Sequence, residues 1–413
     1  MRDESLDGPS ESVKVKQPFF AIDVRSFARA LSVNFNAGVG YMVQASGAGG
    51  DQVTTSWSSA AVERYTKMSR GRAKQSTKDL IDHRLLQQTA DGTKPRYRVR
   101  PWAEVLEDFV GKLPISTRRA FRAVVAGEPV ASKDQGGQSH LERLGWTKNG
   151  ALTFLHDPAP KHAWLPRAFV CGTKAGEESP LSRLRRIRDA ALFRFVVDLY
   201  FEQQMAEFAG IPRNVLRVTY GRHKLGTFGL VTVWGFSTAV SDTYTVRSAR
   251  PIENLVGTDP AGETDEERRK RLELLWDSLK RLESIGILEW VPHLFESDDF
   301  GSESIHPIAW GDGDAIEDQL GQLSREAALA MAERHGCEWL AADKFSHLRL
   351  VAMPSEMTDI QLISVARMRY RANTRPNEAW SGRSEASSQD WIRIYREIIA
   401  RSLKYRQTIE EAV

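Results

Sequence analysis

Residues 58–78 read Ser-Ser-Ala-Ala-Val-Glu-Arg-Tyr-Thr-Lys-Met-Ser-Arg-Gly-Arg-Ala-Lys-Gln-Ser-Thr-Lys, and this stretch decides the fold of the amino-terminal part of the chain. Ala61, Val62 and Tyr65 share one face of a short helix, and the hydroxyl of Ser58 can cap its first turn. Residues 66–68 form a turn, after which Ser69 is a second preferred capping residue. The stretch therefore predicts two helices joined by a tight turn, the second over 70–83.

The second of these helices has one apolar side and one cationic side. Ala73, Leu80 and Ile81 can face a core, whereas Arg70, Lys74 and Lys78 follow at intervals of four residues on a neighbouring face. Gly71, Arg72 and Gln75 lie beside this stripe. A small residue and an amide next to cations are compatible with close approach to a DNA groove. For an isolated helix, a solvated charged face is the alternative explanation.

A basic hairpin follows the two helices. Leu85 and Leu86 begin a strand, and Asp91-Gly92 is a strong turn signal with Lys94 close behind it. From residue 96 onward the basic and apolar residues alternate, in the order Arg96, Tyr97, Arg98, Val99, Arg100. Because successive strand residues point to opposite faces, the three arginines should form one guanidinium row suited to phosphate or minor-groove contact.

Positive charge is concentrated in this segment. Residues 58–100 contain eleven Lys or Arg and four Asp or Glu, a net charge of +7, whereas the whole chain carries only +3. A concentrated basic surface is the electrostatic pattern of a DNA-binding protein. The predicted DNA-contacting residues are Arg70, Arg72, Lys74, Gln75, Lys78, Lys94, Arg96, Arg98 and Arg100. A scaffold for dimerisation or protein contact is the alternative.

The bulk composition sets outer limits on the rest. A chain of 413 residues usually forms two or three domains, and two distant cysteines argue against a disulfide framework or a zinc site. No apolar run approaches the length of a membrane span, and the polar residues 1–17 predict a disordered lead-in. We expect a cytoplasmic protein, mainly α with small β-wings and hence of the α+β class, without a membrane partner.

The predicted domains follow from these elements. Residues 18–101 form the first domain, 102–160 a connecting region, 161–296 a second domain, 297–318 an acidic connector and 319–413 a mainly helical region. In the second domain, Arg183, Arg185, Arg186 and Arg188 predict the basic start of a long helix that continues to Tyr200. Phosphate contact and a solvated helix start are open alternatives for this cluster.

A second helix-to-strand transition follows Thr264, whose spacing to Glu267 is that of a capping box. The helix ends at Gly286 and a strand begins at Ile287, as in the last helix and hairpin of the first domain. Its hairpin should be acidic, through Glu289, Glu296, Asp298 and Asp299, which favours packing or dimer contact over phosphate contact. Further along, we expect a strand over 348–353 and helices over 325–335, 359–371 and 389–407.

Catalytic patterns are absent from the sequence. There is no His-Glu-x-x-His pair, no phosphate-binding Gly-x-x-x-x-Gly-Lys loop and no Gly-x-Ser-x-Gly turn, so we expect neither an enzyme nor a cofactor or metal. The acidic pair Asp298–Asp299 leaves a metal-dependent nuclease as a minor alternative.

The order of helix, turn, helix and hairpin resembles the winged helix-turn-helix proteins common in bacterial genomes and mobile elements. The segments that carry this resemblance are residues 36–43, 47–49, 55–58 and 69–74. It implies binding of double-stranded DNA, with use as a transcriptional regulator, and by symmetry a homodimer. The tandem arrangement is also similar to plasmid replication initiators built from two such domains, which makes origin binding the second expectation. A purely structural adaptor is the remaining one.

Overall fold

The structure is a computed structural model and describes residues 19–90, 95–173, 177–237, 243–244, 249–258, 262–337, 347–371 and 374–410. The expected lead-in over 1–17, the Asp91-Gly92 turn and Lys94 lie outside these residues. The chain divides into two compact units, Met1–Arg188 and Asp189–Val413. The expectation of a mixed α+β chain with small sheets is confirmed.

The first unit alternates helices with short strands. Its helices are α1 (Val24–Val33), α2 (Phe35–Ser46), α3 (Ser59–Thr66), α4 (Arg70–Asp82), α5 (Trp102–Val110), α6 (Ile115–Ala126), α7 (Gln135–Arg143), α8 (Ala168–Cys171) and α9 (Pro180–Ile187). Its strands are β1 (Phe19–Asp23), β2 (Thr54–Thr55), β3 (Leu86–Ala90), β4 (Arg96–Val99), β5 (Thr147–Lys148), β6 (Ala151–Leu152) and β7 (His162–Pro166).

Local capping sets the first helices. The Asn34 side chain accepts a hydrogen bond from the Ala37 amide at 2.8 Å and so begins α2, while Ser58 accepts from the Ala60 amide at 3.3 Å and begins α3. Ser69 occupies the corresponding position before α4, but its side chain makes no capping hydrogen bond. Both helices predicted from residues 58–78 are therefore present, separated by the turn at 67–69.

Strands β2, β4 and β3 form an antiparallel sheet in that order, with β4 in the centre. Thr55 pairs with Tyr97, and Leu86 pairs with Val99. Tyr97 and Val99 are buried, as the alternation in β4 predicted. Along the chain the order is thus α2, β2, α3, α4, β3, β4.

Residues 102–188 complete the first unit. Strand β7 pairs with β1, and the buried Arg25 binds Asp23 at 2.6 Å and the Ala159 carbonyl at 2.7 Å, which fixes this part of the chain against α1. The structural boundary therefore lies at 188, whereas we expected a second domain to begin at 161. The expected connecting region 102–160 contains three α-helices, a short 3-10 helix over Ser132–Asp134 and the β5–β6 hairpin, whose turn residues Asn149 and Gly150 both have positive φ.

The second unit contains longer elements. Its helices are α10 (Ala190–Glu202), α11 (Arg250–Val256), α12 (Asp265–Ser284), α13 (Ala315–Arg334) and α14 (Arg375–Glu410). Its strands are β8 (Arg217–Thr219), β9 (Gly221–Phe228), β10 (Val231–Ser237), β11 (Thr243–Tyr244), β12 (Leu288–Phe295), β13 (Ser304–Pro307), β14 (Leu348–Pro354) and β15 (Gln361–Met368).

A five-stranded sheet in the order β11-β8-β15-β12-β13 forms one half of this unit. Its central part, β8-β15-β12, repeats the strand order β2-β4-β3 of the first unit. In each case the strand that comes last in the chain, β4 or β15, lies in the middle. It pairs on one side with an earlier strand that follows a helix, and on the other side with a strand that follows two further helices. The helix expected over 359–371 is wrong, because β15 occupies this stretch. Leu362, Ile363 and Val365 are buried between neighbouring strands, and a short apolar run does not distinguish a buried strand from a helix.

Two insertions build the other half of the second unit. One follows β8 and contributes β9 and β10, and the other follows β13 and contributes α13 and β14. Strand β10 pairs with both β9 and β14, so the insertions share one sheet. Phe236, Val351 and Tyr395 belong to the core between this sheet, α13 and α14.

Three further expectations differ from the structure. The basic helix expected to run from residue 183 to Tyr200 is two helices, because Arg188 adopts a left-handed conformation (φ +57°) that ends α9, and Asp189 then caps α10. The expected acidic connector 297–318 contains β13 and the start of α13. Glu289 does not belong to an exposed acidic wing, since it binds Arg367 at 2.8 Å and Arg371 at 2.7 Å.

Within the described ranges, no helix is both long and apolar enough to cross a bilayer.

Candidate nucleic-acid interface

Helix α4 presents a cationic face to solvent. Ala73, Ser76, Thr77 and Leu80 are buried on its inner side. Gly40 of α2 allows a close approach here, since a Cβ at this position would lie 2.8 Å from the Ser76 hydroxyl. The outer side carries the predicted residues Arg70, Arg72, Lys74, Gln75 and Lys78, all of them exposed. The helix thus separates packing residues from charged residues as the sequence predicted.

The four cations of α4 have no carboxylate partner among the residues that the structure describes. None of the ion pairs found there involves Arg70, Arg72, Lys74 or Lys78. Unpaired surface cations on one helix face add their fields instead of cancelling those of neighbouring acids. This face is therefore able to attract a polyanion.

Gln75 belongs to a small amide network. Its Nε2 donates to Asp79 Oδ1 at 2.7 Å, and Asn34 Nδ2 donates to Asp79 Oδ2 at 2.8 Å. The carboxylate of Asp79 is therefore held by two amides on the same surface as the cations. Gln75 keeps its side-chain oxygen as an acceptor, and its orientation is fixed before any ligand binds.

The hairpin does not present the expected row of three arginines. Arg98 Nη1 donates to Glu104 Oε2 at 2.6 Å, and Arg100 Nη1 donates to Asp108 Oδ2 at 2.6 Å. Hydrogen bonds from Arg98 and Arg100, respectively, lower the pKa values of Glu104 and Asp108. The reason is that α5 lies beside β4 and its acidic residues neutralise both arginines. Arg98 and Arg100 therefore hold the hairpin on α5.

Arg96 alone of the three hairpin arginines keeps an exposed side chain with no ion pair among the described residues. Arg96 belongs to the same strand as Arg98, but it forms no ion pair with the acidic residues of α5. The candidate interface is thus α4 together with Arg96.

Arg185 and Arg188, for which the sequence left phosphate contact as an open alternative, lie beside α4, a position that the sequence did not predict. Arg188 lines a surface groove together with Arg72 and Gln75, and Arg185 lies close enough to Arg72 for their charges to interact. The run Arg183–Arg188 was visible in the sequence, but it was assigned to another domain and to the start of a longer helix. Only the packing of α9 in the first unit places it next to α4.

Among the described residues, no set of three or more His, Cys, Asp or Glu side chains is placed to hold a metal ion. Of the pair Asp298–Asp299, Asp298 is 3.3 Å from the guanidinium of Arg217. His293 and His306 are fully buried, and burial lowers their pKa values to about 3 and about 4.

Comparison with protein-family models, with curated proteins and with solved structures found no match to this chain.

Proposed function

We propose that the chain is a sequence-specific double-stranded DNA-binding protein whose helix α4 enters the major groove. The observation that carries this proposal is the exposed face of α4, which presents an oriented amide and four cations that have no carboxylate partner among the described residues. Cations of this kind bind phosphates and supply affinity, while an amide can pair with a base edge and supply specificity.

The arrangement of elements supports the same proposal. Three helices and a three-stranded sheet follow in the order α2, β2, α3, α4, β3, β4, and this is the order of a winged helix. In helix-turn-helix proteins the second helix of the motif lies in the major groove, and α4 occupies that position. The proposed hairpin contact is smaller than the sequence predicted, because only Arg96 is available in the described part of the wing.

The first experiment is selection of bound fragments from a random duplex pool, followed by measurement of affinity across a salt series. Lys74→Gln and Lys78→Gln should each reduce the slope of log K against log salt by about 0.9, the value for one lost phosphate contact. Arg122→Gln is the matched control, because Arg122 is also an exposed cation, on α6, with Glu107 3.7 Å away. Equal slopes for all three variants and the parent chain would contradict the proposal.

Specificity is tested separately through Gln75. Gln75→Ala should leave the salt slope unchanged and reduce discrimination at one base pair by about 1–3 kcal/mol. The measurement is the affinity for the selected duplex and for each single-base variant of it. A uniform loss across all sequences would mean that Gln75 supports the fold of α4 and has no part in base recognition.

For the biological use of this binding, we propose transcriptional regulation first and initiation of plasmid or mobile-element replication second. The second candidate is favoured by the strand order β8-β15-β12, which repeats that of the first unit and supports a tandem arrangement. An initiator should select fragments with several repeated sites and should maintain a plasmid that carries those repeats and lacks its own initiator. A regulator should select one site, palindromic if the proposed homodimer forms, and should repress a reporter placed behind it.

A further inference from the structure

We propose that the groove between α4 and the end of α9 binds one backbone phosphate of the DNA duplex, held by Arg72, Arg185 and Arg188. This inference rests on the proposed function and adds a contact outside the helix-turn-helix motif. The groove has a volume of about 510 Å³, and its lining includes Asn34, Asn36, Arg72, Gln75, Asp79 and Arg188. Arginine suits this role, since its planar fork of donors matches the oxygens of a phosphate.

Two guanidinium groups of like charge, those of Arg72 and Arg188, line this groove, and Arg185 lies close enough for its charge to interact with both. Partial burial and then the charges of Arg188 and Arg72 lower the pKa of Arg185. Like charges held together raise the free energy of the folded chain unless an anion reduces their repulsion. The groove does contain one carboxylate, that of Asp79, but both of its oxygens already accept hydrogen bonds from Asn34 and Gln75.

The other acidic residues near α9 bind different arginines, although the charge of Glu178 also acts on Arg185. Glu178 Oε2 accepts from Arg186 at 2.5 Å, and Glu177 lies 3.8 Å from Arg183. The α9 segment therefore divides into two pairs of arginines. Arg183 and Arg186 have acidic partners within the protein, whereas Arg185 and Arg188 have no ion pair in the described residues and lie towards α4.

The position of Arg188 is fixed by the way α9 is anchored. The Ser182 hydroxyl donates to the Tyr65 carbonyl at the end of α3 at 2.9 Å, and Leu181 and Leu184 are fully buried. Arg188 ends the helix in a left-handed conformation, which few residues other than glycine adopt. The groove is thus built from packed elements, and a phosphate contact here would require little rearrangement.

The test combines arginine variants with a modified duplex. Arg185→Gln and Arg188→Gln should each reduce the salt slope by about 0.9, equivalent to about an eightfold loss of affinity at 0.1 M salt, with unchanged base preference. Arg186→Gln is the matched control from the same helix, since Arg186 is exposed and paired with Glu178, and it should leave the slope unchanged. Equal slopes for all three variants would overturn the proposal.

A neutral methylphosphonate placed at single backbone positions identifies the phosphate itself. One position should weaken binding of the parent chain but should weaken binding of Arg188→Gln no further, because the variant has already lost that contact. Additive losses at every position would overturn the proposal. If the α4 variants lower the slope and the α9 variants do not, only the groove is refuted. If the parent chain shows no salt-sensitive binding, the proposed function itself fails.

Discussion

Arg98→Gln separates an arginine that supports the fold from one that contacts DNA. The sequence places Arg98 on the DNA-facing side of the hairpin, but its guanidinium is bound by Glu104. Lys74 is exposed on α4 and has no carboxylate partner among the described residues. Counterions leave the DNA when protein cations neutralise its phosphates. A cation that is already neutralised by a protein carboxylate does not neutralise a phosphate, so it releases no counterion when DNA binds. We therefore expect Lys74→Gln to change the salt dependence of binding and Arg98→Gln to leave it unchanged.

The expected magnitudes differ enough to be separated. Lys74→Gln should reduce the salt slope by about 0.9 and the affinity at 0.1 M salt by about eightfold. Arg98→Gln should instead reduce local stability by about 0.5–1 kcal/mol, because its ion pair is one third exposed and screened by solvent. By the relation between free energy and equilibrium constant, that loss makes opening of the β4–α5 contact about two to five times more frequent.

Two measurements on the full chain decide the matter. Fluorescence anisotropy of a labelled, selected duplex between about 0.05 and 0.3 M salt gives the slope for each variant. Hydrogen exchange of the amides in β4 and α5 gives the local stability. Glu104→Gln is the informative companion, because it releases Arg98 and should steepen the slope. The reasoning is refuted if Arg98→Gln lowers the slope as much as Lys74→Gln does and leaves hydrogen exchange unchanged.

Three further predictions concern stability. The hydrogen bond from Arg98 lowers the pKa of Glu104 from 4.5. The stability that the ionised Glu104 contributes should therefore be present above about pH 4.5 and lost as the pH falls through the folded-state pKa. Acid unfolding of Glu104→Gln, followed by hydrogen exchange in β4, should lack this loss of stability. Glu289→Gln removes the carboxylate charge that binds Arg367 and Arg371 and should destabilise the second unit by about 3 kcal/mol, whereas the exposed Glu296→Gln should have little effect in the same chemical denaturation series. Gly321→Ala should reduce the yield of folded chain, because a Cβ there would lie 1.6 Å from a backbone oxygen, while Gly382→Ala in α14 meets no neighbour and should raise the thermal midpoint.

The helices of the first unit could be predicted because their signals are local. Ser58 lies at the start of α3, and the buried Ala73 and Leu80 lie within α4, so the residues that indicate each helix are in it or next to it. The alternation in β4 likewise predicted which side chains are buried. The alternation does not show which residues bind the side chains on the exposed side of β4. Glu104 lies six residues beyond Arg98 in the chain, and only the position of α5 beside β4 brings the two side chains together.

The second unit was harder to predict because its contacts join distant residues. Strand β15 takes its form from pairing with β8 and β12, each of which lies more than 60 residues earlier in the chain. The arginines at 367, 369 and 371 do alternate, and this period of two was a strand signal that the basic composition obscured. The sequence likewise indicated an exposed position for Glu289, whereas β15 and the residues just after it supply three arginine partners.

The two units repeat a strand order but differ in how their charge is compensated. Helix α12, which precedes β12 as α4 precedes β3, holds six basic and six acidic residues, and several of them pair with each other or with residues next to the helix, such as Arg271 with Glu263 at 2.9 Å. In addition, β12 and β15 are not joined by a short wing, since the insertion with α13 lies between them. A surface whose charges are already paired contributes little counterion release. We therefore expect the salt dependence of DNA binding to follow substitutions in α4 and α9, and to be insensitive to Arg271→Gln in the second unit.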